Sequence, residues 1–339
     1  MKPNIQYSIE FLRGVLAITV AICHFYLSKV DNIHLELISS LSVEIFFVIS
    51  GFVLAPQIIK IFETNLAENF RVFIIRRFLR TLPAYFFFLS LISLLLGKFL
   101  SQDFFKLFFF VQNFSQINLQ NDYYPIAWSL SVEEWFYLFF IPILLLFRSI
   151  FRFNNIFKFI ILWFVFFYIL KFAYFSLNSF DWGEDIRRVT IFRLDSIVVG
   201  IIFYLFKDLF LKILKKYKYF FFILIIIFYY FIFFNISTKN IFIVQMIFLS
   251  ISLFSIIILG FFIKSEEIFI KNFSSFSYFI GKISYSIYLS HMLLIVIIRS
   301  KSDFEINILY YLSSVFLLSF ISRKLVEEPF LKNRPRFKF

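Results

Sequence analysis

Two ionisable residues stand inside the first apolar run of the chain. Arg13 and His24 are eleven positions apart in a segment that otherwise has the composition of a membrane-spanning helix. Eleven residues make close to three helical turns, so both side chains project from one face, about 16 Å apart along the axis. Because an ionisable group is costly within a membrane, its presence there indicates function. The pair therefore predicts a site with a permanent cation and a titratable base.

A carboxylate follows at a similar depth. Glu44 opens the second apolar run, in Ser42-Val-Glu-Ile-Phe-Phe-Val-Ile-Ser-Gly-Phe52. A carboxylate beside an imidazole raises its basicity and fixes its tautomer, as a general base requires. The alternative is that Glu44 is a hydrated acid at the membrane interface. Ser50 and Gly51, near the middle of this run, either belong to the site or only permit close helix packing.

The third apolar run begins with a pair of arginines. Arg77 and Arg80, in Arg76-Arg-Phe-Leu-Arg-Thr-Leu-Pro83, are three positions apart and share one helical face. Two guanidinium groups so arranged can bind phosphates. The sequence supports equally the alternative that they are basic anchors on the cytoplasmic side of the membrane.

Later runs also begin with polar or interfacial residues. They are Trp128 before the fourth run, Glu133 at its start, Arg193 at the start of the sixth, and Tyr288 and His291 in the ninth. We expect at least one of Glu133 and Glu134 to point into the bundle. His291 lies in an apolar stretch, which favours a structural hydrogen bond over catalysis. The single cysteine, Cys23, excludes a cysteine-based metal cluster, and we expect no metal site.

The composition limits the class of protein. Of the 339 residues, 61% are hydrophobic, which is more than the surface of a soluble domain tolerates. The 34 Lys and Arg residues exceed the 21 acids and give a net charge of +13. In a membrane protein this excess belongs to cytoplasmic loops rather than to nucleic-acid binding. The chain is therefore expected to be a multi-pass membrane protein whose partner is the lipid bilayer, with no nucleic-acid partner.

Runs of about 17 to 25 apolar residues predict membrane-spanning helices. We expect an all-α bundle of about ten, at residues 8–27, 37–59, 78–100, 132–151, 156–175, 190–206, 219–236, 241–263, 283–299 and 305–325. With both termini in the cytoplasm, 23 of the 34 Lys and Arg residues lie inside and 10 outside, and Arg13 lies within the membrane. This orientation puts residues 60–77 and 326–339 inside, and 101–127 and 176–189 outside.

Taken in order, these segments resemble the membrane-bound acyltransferase family 3, the ten-helix acyltransferases that O-acetylate bacterial surface sugars. The resemblance extends from Arg13 to Pro329. Its motifs are Arg-x10-His at Arg13 and His24, the stretches Glu44–Phe52, Arg77–Pro83 and Trp128–Tyr137, Arg193 with Gly200, the stretch ending at His291, and Glu327-Glu-Pro329. Each motif alone is weak, but seven in order on a ten-span background are specific.

The resemblance implies an acyl-CoA donor, usually acetyl-CoA, taken from the cytoplasm as a co-substrate rather than a tightly bound cofactor. It implies a carbohydrate acceptor, either a surface polysaccharide such as lipopolysaccharide or its lipid-linked precursor, and a location in the bacterial inner membrane. His24 would be the base or a transient acyl carrier, supported by Glu44 and Arg13. The implied donor residues are Arg77, Arg80 and Ser50, and the implied outer-cavity residues are Trp128, Glu133, Arg193, Tyr288 and His291.

The family often carries a fused periplasmic domain, but here we expect a single transmembrane domain over residues 1–339 without one. Two other classes of function remain open on the residues alone. Buried charges in a ten-span bundle also suit a secondary transporter, although no inverted repeat is visible. A non-catalytic membrane partner is disfavoured because the set of Arg13, His24 and Glu44 is intact.

Overall fold

The chain folds into helices joined mostly by short connections. The structure, a computed structural model, describes residues 6–64, 67–151, 155–177, 182–236, 238–299 and 307–337. The helices are α1 (Tyr7–Leu27), α2 (Ile33–Thr64), α3 (Ala67–Leu95), α4 (Gln102–Phe108), α5 (Ala127–Phe151), α6 (Ile156–Leu177), α7 (Ser196–Lys216), α8 (Lys218–Asn235), α9 (Ile241–Lys264), α10 (Glu266–Asn272), α11 (Ser274–Arg299), α12 (Ile308–Ser322) and α13 (Glu328–Lys332). A π-helical turn, Arg323–Glu327, joins α12 to α13.

Within these residues, nine helices are long and apolar enough to cross a membrane, and no strand occurs. The expected all-α, multi-pass membrane fold is confirmed. The helix expected at 190–206 begins only at Ser196, after a 3₁₀ turn at Thr190–Phe192, and its second half is basic. The first two residues of the expected span 305–325 lie outside the described residues.

The third helix differs most from its predicted bounds of 78–100. It begins at Ala67 and ends at Leu95. Hydropathy detects only the apolar part of a helix, so the basic first turns were assigned to a loop. The helix stops before Gly97, whose backbone adopts the left-handed conformation at φ 63°.

Helices α1 and α11 run parallel and pack closely over much of their length. A side chain at Gly14 would overlap Ile280, and one at Gly281 would overlap Glu10, so both glycines are needed for this approach. Each helix carries a histidine ten residues after its glycine: His24 follows Gly14, and His291 follows Gly281. The shared crossing point therefore brings the two histidines to the same level.

A second close crossing joins α2 to α7. A Cβ atom on Gly51 would lie 1.9 Å from the carbonyl oxygen of Ile197, and one on Gly200 would lie 2.0 Å from that of Val48. The two backbones therefore touch. This contact explains Gly51 by packing, as the sequence allowed, and it holds α7 against the helix that carries Ser39 and Glu44.

Two connecting segments close the bundle at the histidine end. Asn113, between α4 and α5, donates from its side chain to the backbone oxygens of Trp128 and Arg188, at 3.2 and 2.5 Å. The backbone N–H of Thr190 in turn donates to the carbonyl of Asn113 at 2.8 Å. These bonds fix the start of α5 and the segment before α7 relative to each other.

Candidate active site

Two histidines from different helices form a buried pair. The Nδ1 atom of His24 lies 2.9 Å from Nε2 of His291, and Nε2 of His24 lies 3.1 Å from the Ser39 hydroxyl. The His291 Nδ1 atom lies 3.1 Å from the carbonyl oxygen of Ile287, one turn earlier. The four groups form one continuous chain of hydrogen bonds across three helices.

The chain of bonds determines which ring nitrogens carry protons. The Ile287 carbonyl only accepts, so Nδ1 of His291 must donate to it. A buried imidazole is favoured in its neutral form, so Nε2 of His291 is an acceptor. It follows that His24 donates from Nδ1 and has its acceptor lone pair on Nε2, to which Ser39 donates. His24 is thus held in the tautomer that can accept a proton from a substrate.

His24 lines a cavity that we call the histidine cavity, with a volume of about 360 Å³. Among its other lining residues are Ser39, Trp128, Arg187, Arg188 and Tyr288. The Arg187 guanidinium lies 5.4 Å from the centre of the Trp128 ring and 3.5 Å from Glu36. Burial and the adjacent Arg188 lower the pKa of Arg187 to about 10. The cavity combines a basic imidazole, a flat aromatic ring and two cations.

A second cavity, the arginine cavity, opens nearer the start of α1 and has a volume of about 150 Å³. It brings together the residues expected to bind the donor, Ser50, Arg77 and Arg80, with Arg13, which was expected to support His24 and does not line the histidine cavity. Arg13 pairs with Glu10 at 3.4 Å. Among the described residues that line the cavity, Arg77 and Arg80 are the cations that form no ion pair. Four residues from three segments of the sequence thus meet at one place.

Glu133 also lines the arginine cavity, where it accepts hydrogen bonds from Tyr137 and, at 3.4 Å, from Ser50. It does not line the histidine cavity, which corrects its expected place. Its neighbour Glu134 is buried and accepts from Thr81 at 2.6 Å. The expectation that one of the two acids points into the bundle is confirmed, because Glu134 does.

Val43 and Tyr288 line both cavities and so form the partition between them. The Tyr288 hydroxyl lies 2.7 Å from that of Ser129 and donates to the carbonyl of Ile126 at 3.1 Å. The partition is thus one side chain thick on the α11 side. Val43 and Tyr288 therefore separate the arginine cavity from the cavity that contains His24.

Glu44 is not the partner of His24, which corrects the expected pairing. Its carboxylate accepts from Arg193, and this ion pair is buried. Ser39 takes the place beside His24 instead. The two residues are five positions apart on α2, which is about 140° around the helix, so only one of them can face α1.

Arg193 and His291 also lie away from the cavities that the sequence indicated. Arg193 is 2% exposed, pairs with Glu44 and stacks 4.6 Å from the centre of the Phe248 ring. His291 lies behind His24 and supports it, as the expected hydrogen-bonding role requires. Trp128 and Tyr288 do line the histidine cavity, as predicted.

Several residues of the site were not found from the sequence. Lys171, which the charge count put on the outer side near the end of the expected span 156–175, is buried in α6 and pairs with Asp195 at 2.5 Å. An isolated lysine near the end of an apolar run was the available signal. Ser39, Arg187 and Arg188 gave no comparable signal, because their role depends on which helix faces which. Among the described residues, no cluster of three or more His, Cys, Asp or Glu could hold a metal ion.

Comparison with known proteins finds relatives of this chain by sequence. Residues 6–322 match the sequence model of a family described as "Acyltransferase domain". Two Staphylococcus aureus proteins, "Putative O-acetyltransferase SACOL0978" of strain COL and "Putative O-acetyltransferase SAS0844" of strain MSSA476, are 28% identical over 325 residues. The alignments cover 86% of this chain and 52% of each relative, so the chain spans about half the length of the curated relatives it matches. No solved structure matches the chain. The family match covers nearly the whole described bundle, and the chain therefore belongs to acyltransferase family 3.

Proposed function

We propose that this protein transfers an acyl group, most commonly acetyl, from cytoplasmic acyl-CoA to a hydroxyl group of a carbohydrate. The acceptor would be a surface polysaccharide or its lipid-linked precursor, and the protein would work in the bacterial inner membrane. The observation that carries the proposal is the bond from Nδ1 of His24, a residue that lines the histidine cavity, to His291, which makes Nε2 of His24 the acceptor nitrogen. The relatives named as O-acetyltransferases support the same class of reaction.

The arginine cavity suits the donor. Arg77 and Arg80 carry bidentate donors that match phosphate oxygens. A volume of about 150 Å³ is smaller than the usual range for a drug-sized ligand, so it would hold the acyl-pantetheine arm rather than a whole acyl-CoA. The thioester would then approach His24 past Tyr288. This route requires the basic end of the bundle to face the cytoplasm, in agreement with the distribution of Lys and Arg in the sequence.

The histidine cavity suits a carbohydrate acceptor. Its volume of about 360 Å³ is in the range of small-ligand sites. The Trp128 ring offers an apolar face for a sugar, and the arginines beside it offer hydrogen-bond donors. An acceptor hydroxyl in the histidine cavity would therefore lie against Nε2 of His24, while the thioester would approach from the arginine cavity.

The transfer reaction needs a base that accepts the proton of the acceptor hydroxyl, and its leaving group is the CoA thiolate. In direct transfer, His24 Nε2 takes the hydroxyl proton while the oxygen attacks the thioester carbon. The carbon–sulfur bond then breaks, and the CoA thiolate takes the proton back from the imidazolium. In the alternative route, Nε2 attacks the thioester carbon, and the carbon–sulfur bond breaks to release the CoA thiolate. The acceptor hydroxyl then attacks the acyl carbon, the bond from that carbon to Nε2 breaks, and the hydroxyl proton passes to the thiolate. Both routes use the same nitrogen and need the same bond to His291.

Membranes that contain the protein should move label from radioactive acetyl-CoA into glycan, and mass spectrometry of the surface polysaccharide should find the matching mass increase. His24→Ala should lose about 10² to 10⁴ in rate with normal membrane insertion. His34→Ala is the matched control, because His34 is exposed and stacks on Phe233 outside both cavities. Uptake of a solute without any acyl transfer would instead favour a transporter, and a fully active His24→Ala variant would remove His24 from the mechanism.

A further inference from the structure

The segment that follows α13 lies against the beginning of α3. Arg76 donates from Nη1 to the carbonyl oxygen of Pro335 at 2.7 Å, and its guanidinium lies 5.2 Å from the centre of the Phe337 ring. These two contacts fix the segment on the helix that carries Arg77 and Arg80. Arg334, the residue before Pro335, is thereby held at the same end of the bundle.

Arg334 lies in an unusually cationic environment. Its Nε and Nη2 atoms are buried and have no hydrogen-bond partner among the described residues. Burial lowers the pKa of Arg334, and the positive charges of the neighbouring arginines, that of Arg80 first, lower it further. The guanidinium is partly removed from water without an acid to compensate it, which is unfavourable unless an anion binds there.

The arginines near Arg334 are Arg76, Arg77, Arg80 and Arg323, and they differ in whether an acidic side chain balances their charge. Arg323 pairs with Glu327 at 2.6 Å, so its charge is largely offset. Within the part of the chain that the structure describes, no acidic side chain forms an ion pair with Arg76, Arg77, Arg80 or Arg334. Because Glu10 pairs with Arg13, Glu133 is the remaining acid that lines the arginine cavity, and one carboxylate cannot balance four arginines.

We infer that Arg334 forms a phosphate site together with Arg76, next to Arg77 and Arg80, and that its ligand is the ribose 3′-phosphate of the CoA donor. This inference rests on the proposed function. Arg77 and Arg80 line the cavity that would take the pantetheine arm, and the diphosphate is the first charged group beyond that arm. Arg334 and Arg76 lie outside the cavity lining, where the next phosphate of the donor would be.

The same phosphate chemistry is present in anionic lipid headgroups, and the experiment must separate the two sources. The full chain would be purified into nanodiscs of phosphatidylcholine alone or with phosphatidylglycerol. Equilibrium binding of radiolabelled CoA and dephospho-CoA would be measured together with the apparent KM of both acetylated donors. Arg334→Gln is the test variant, and Arg336→Gln is its matched control, because Arg336 is an exposed arginine in the same segment.

The wild-type protein should bind CoA about tenfold or more tightly than dephospho-CoA, since a hydrogen bond to a charged group contributes about 1.5–3 kcal/mol. Arg334→Gln should remove most of this difference and raise the acetyl-CoA KM by a similar factor, with the acceptor KM unchanged. Arg334→Lys should restore part of the preference, and Arg336→Gln should behave as wild type.

Two results would overturn the inference while leaving the proposed function intact. One is normal acyl transfer in Arg334→Gln with an undiminished preference for CoA. The other is an effect of Arg334→Gln seen only with phosphatidylglycerol, which would assign the residue to lipid. A wild-type protein that binds CoA with the expected preference but transfers no acyl group would instead contradict the proposed function and leave the phosphate site standing.

Discussion

Nδ1 of His24 lies 2.9 Å from Nε2 of His291, and this bond determines that Nε2 is the acceptor nitrogen of His24, the histidine of the histidine cavity. It exists because α1 and α11 are parallel and share a crossing point ten residues before each histidine. A shift of one residue along either helix would rotate its histidine by about 100° and break the contact. The glycines of the crossing therefore position the base although they lie about 15 Å from it.

His291→Ala should lower kcat without changing the donor KM, because His291 orients His24 and touches neither cavity. The expected loss is about 10- to 100-fold, as for the outer partners of other functional histidines. His291→Gln should recover part of the rate, since its amide oxygen can accept from His24. Steady-state kinetics with both substrates varied would check this. A rise in donor KM at constant kcat would mean that His291 serves the donor site instead.

Arg80→Lys should raise the apparent donor KM by about tenfold, because lysine loses the bidentate contact that a guanidinium makes with phosphate. The loss should grow with salt, since lysine retains only a screened charge interaction. Arg71→Lys is the control, as Arg71 is an exposed arginine on the same helix. If only the acceptor KM changed, the arginine cavity would belong to the other substrate.

Hydropathy and charge predicted the helices, and motif order predicted which residues gather in the arginine cavity. Arg13, Ser50 and Arg77 meet there because their positions along α1, α2 and α3 bring them to a similar depth in the bundle, which the sequence encodes directly. Depth alone did not give the partner of His24. Choosing between Ser39 and Glu44 requires the rotation of α2 about its axis, which is set by the contact of Gly51 with α7.

Counting charges along the sequence also did not give the partner of Lys171. The sequence counted this lysine among the outer charges because it stands near the end of the apolar run 156–175. In the structure it is 1% exposed, since Asp195 at the start of α7 neutralises it. The two residues are 24 positions apart and their helices differ, so no local pattern connects them.

Lys171→Met should destabilise the protein by about 3–5 kcal/mol, because it leaves the Asp195 carboxylate buried without a counter-charge. Adding Asp195→Asn should recover much of this loss. Thermal unfolding in detergent would measure both variants. Lys282→Met removes a lysine from the half-exposed pair with Glu328 and should cost about 0–1 kcal/mol. An equal loss in the double and single variants would show that the lysine stabilises by packing alone.

Gly200→Ala should destabilise the α2–α7 crossing, because its new methyl group would meet the carbonyl of Val48 at 2.0 Å. Backbone atoms cannot rotate away, so the helices must separate, at a cost of about 1–3 kcal/mol. Gly260→Ala meets only side-chain atoms, those of Phe210 at 2.9 Å and Leu214 at 3.2 Å, and should cost less because these side chains can move. Equal unfolding temperatures for the two variants would argue against a backbone contact at Gly200.

The proposed route of the acyl group requires the arginine cavity to face the cytoplasm. In a Cys23→Ser background, Ser115→Cys between α4 and α5 should react with a membrane-impermeant thiol reagent on intact cells. Asn333→Cys, just after α13, should react only after the membrane is permeabilised. Both positions are exposed, so accessibility within the protein does not distinguish them. The opposite pattern would put the phosphate-binding arginines outside, where cytoplasmic acyl-CoA does not reach, and would exclude the proposed direction of transfer.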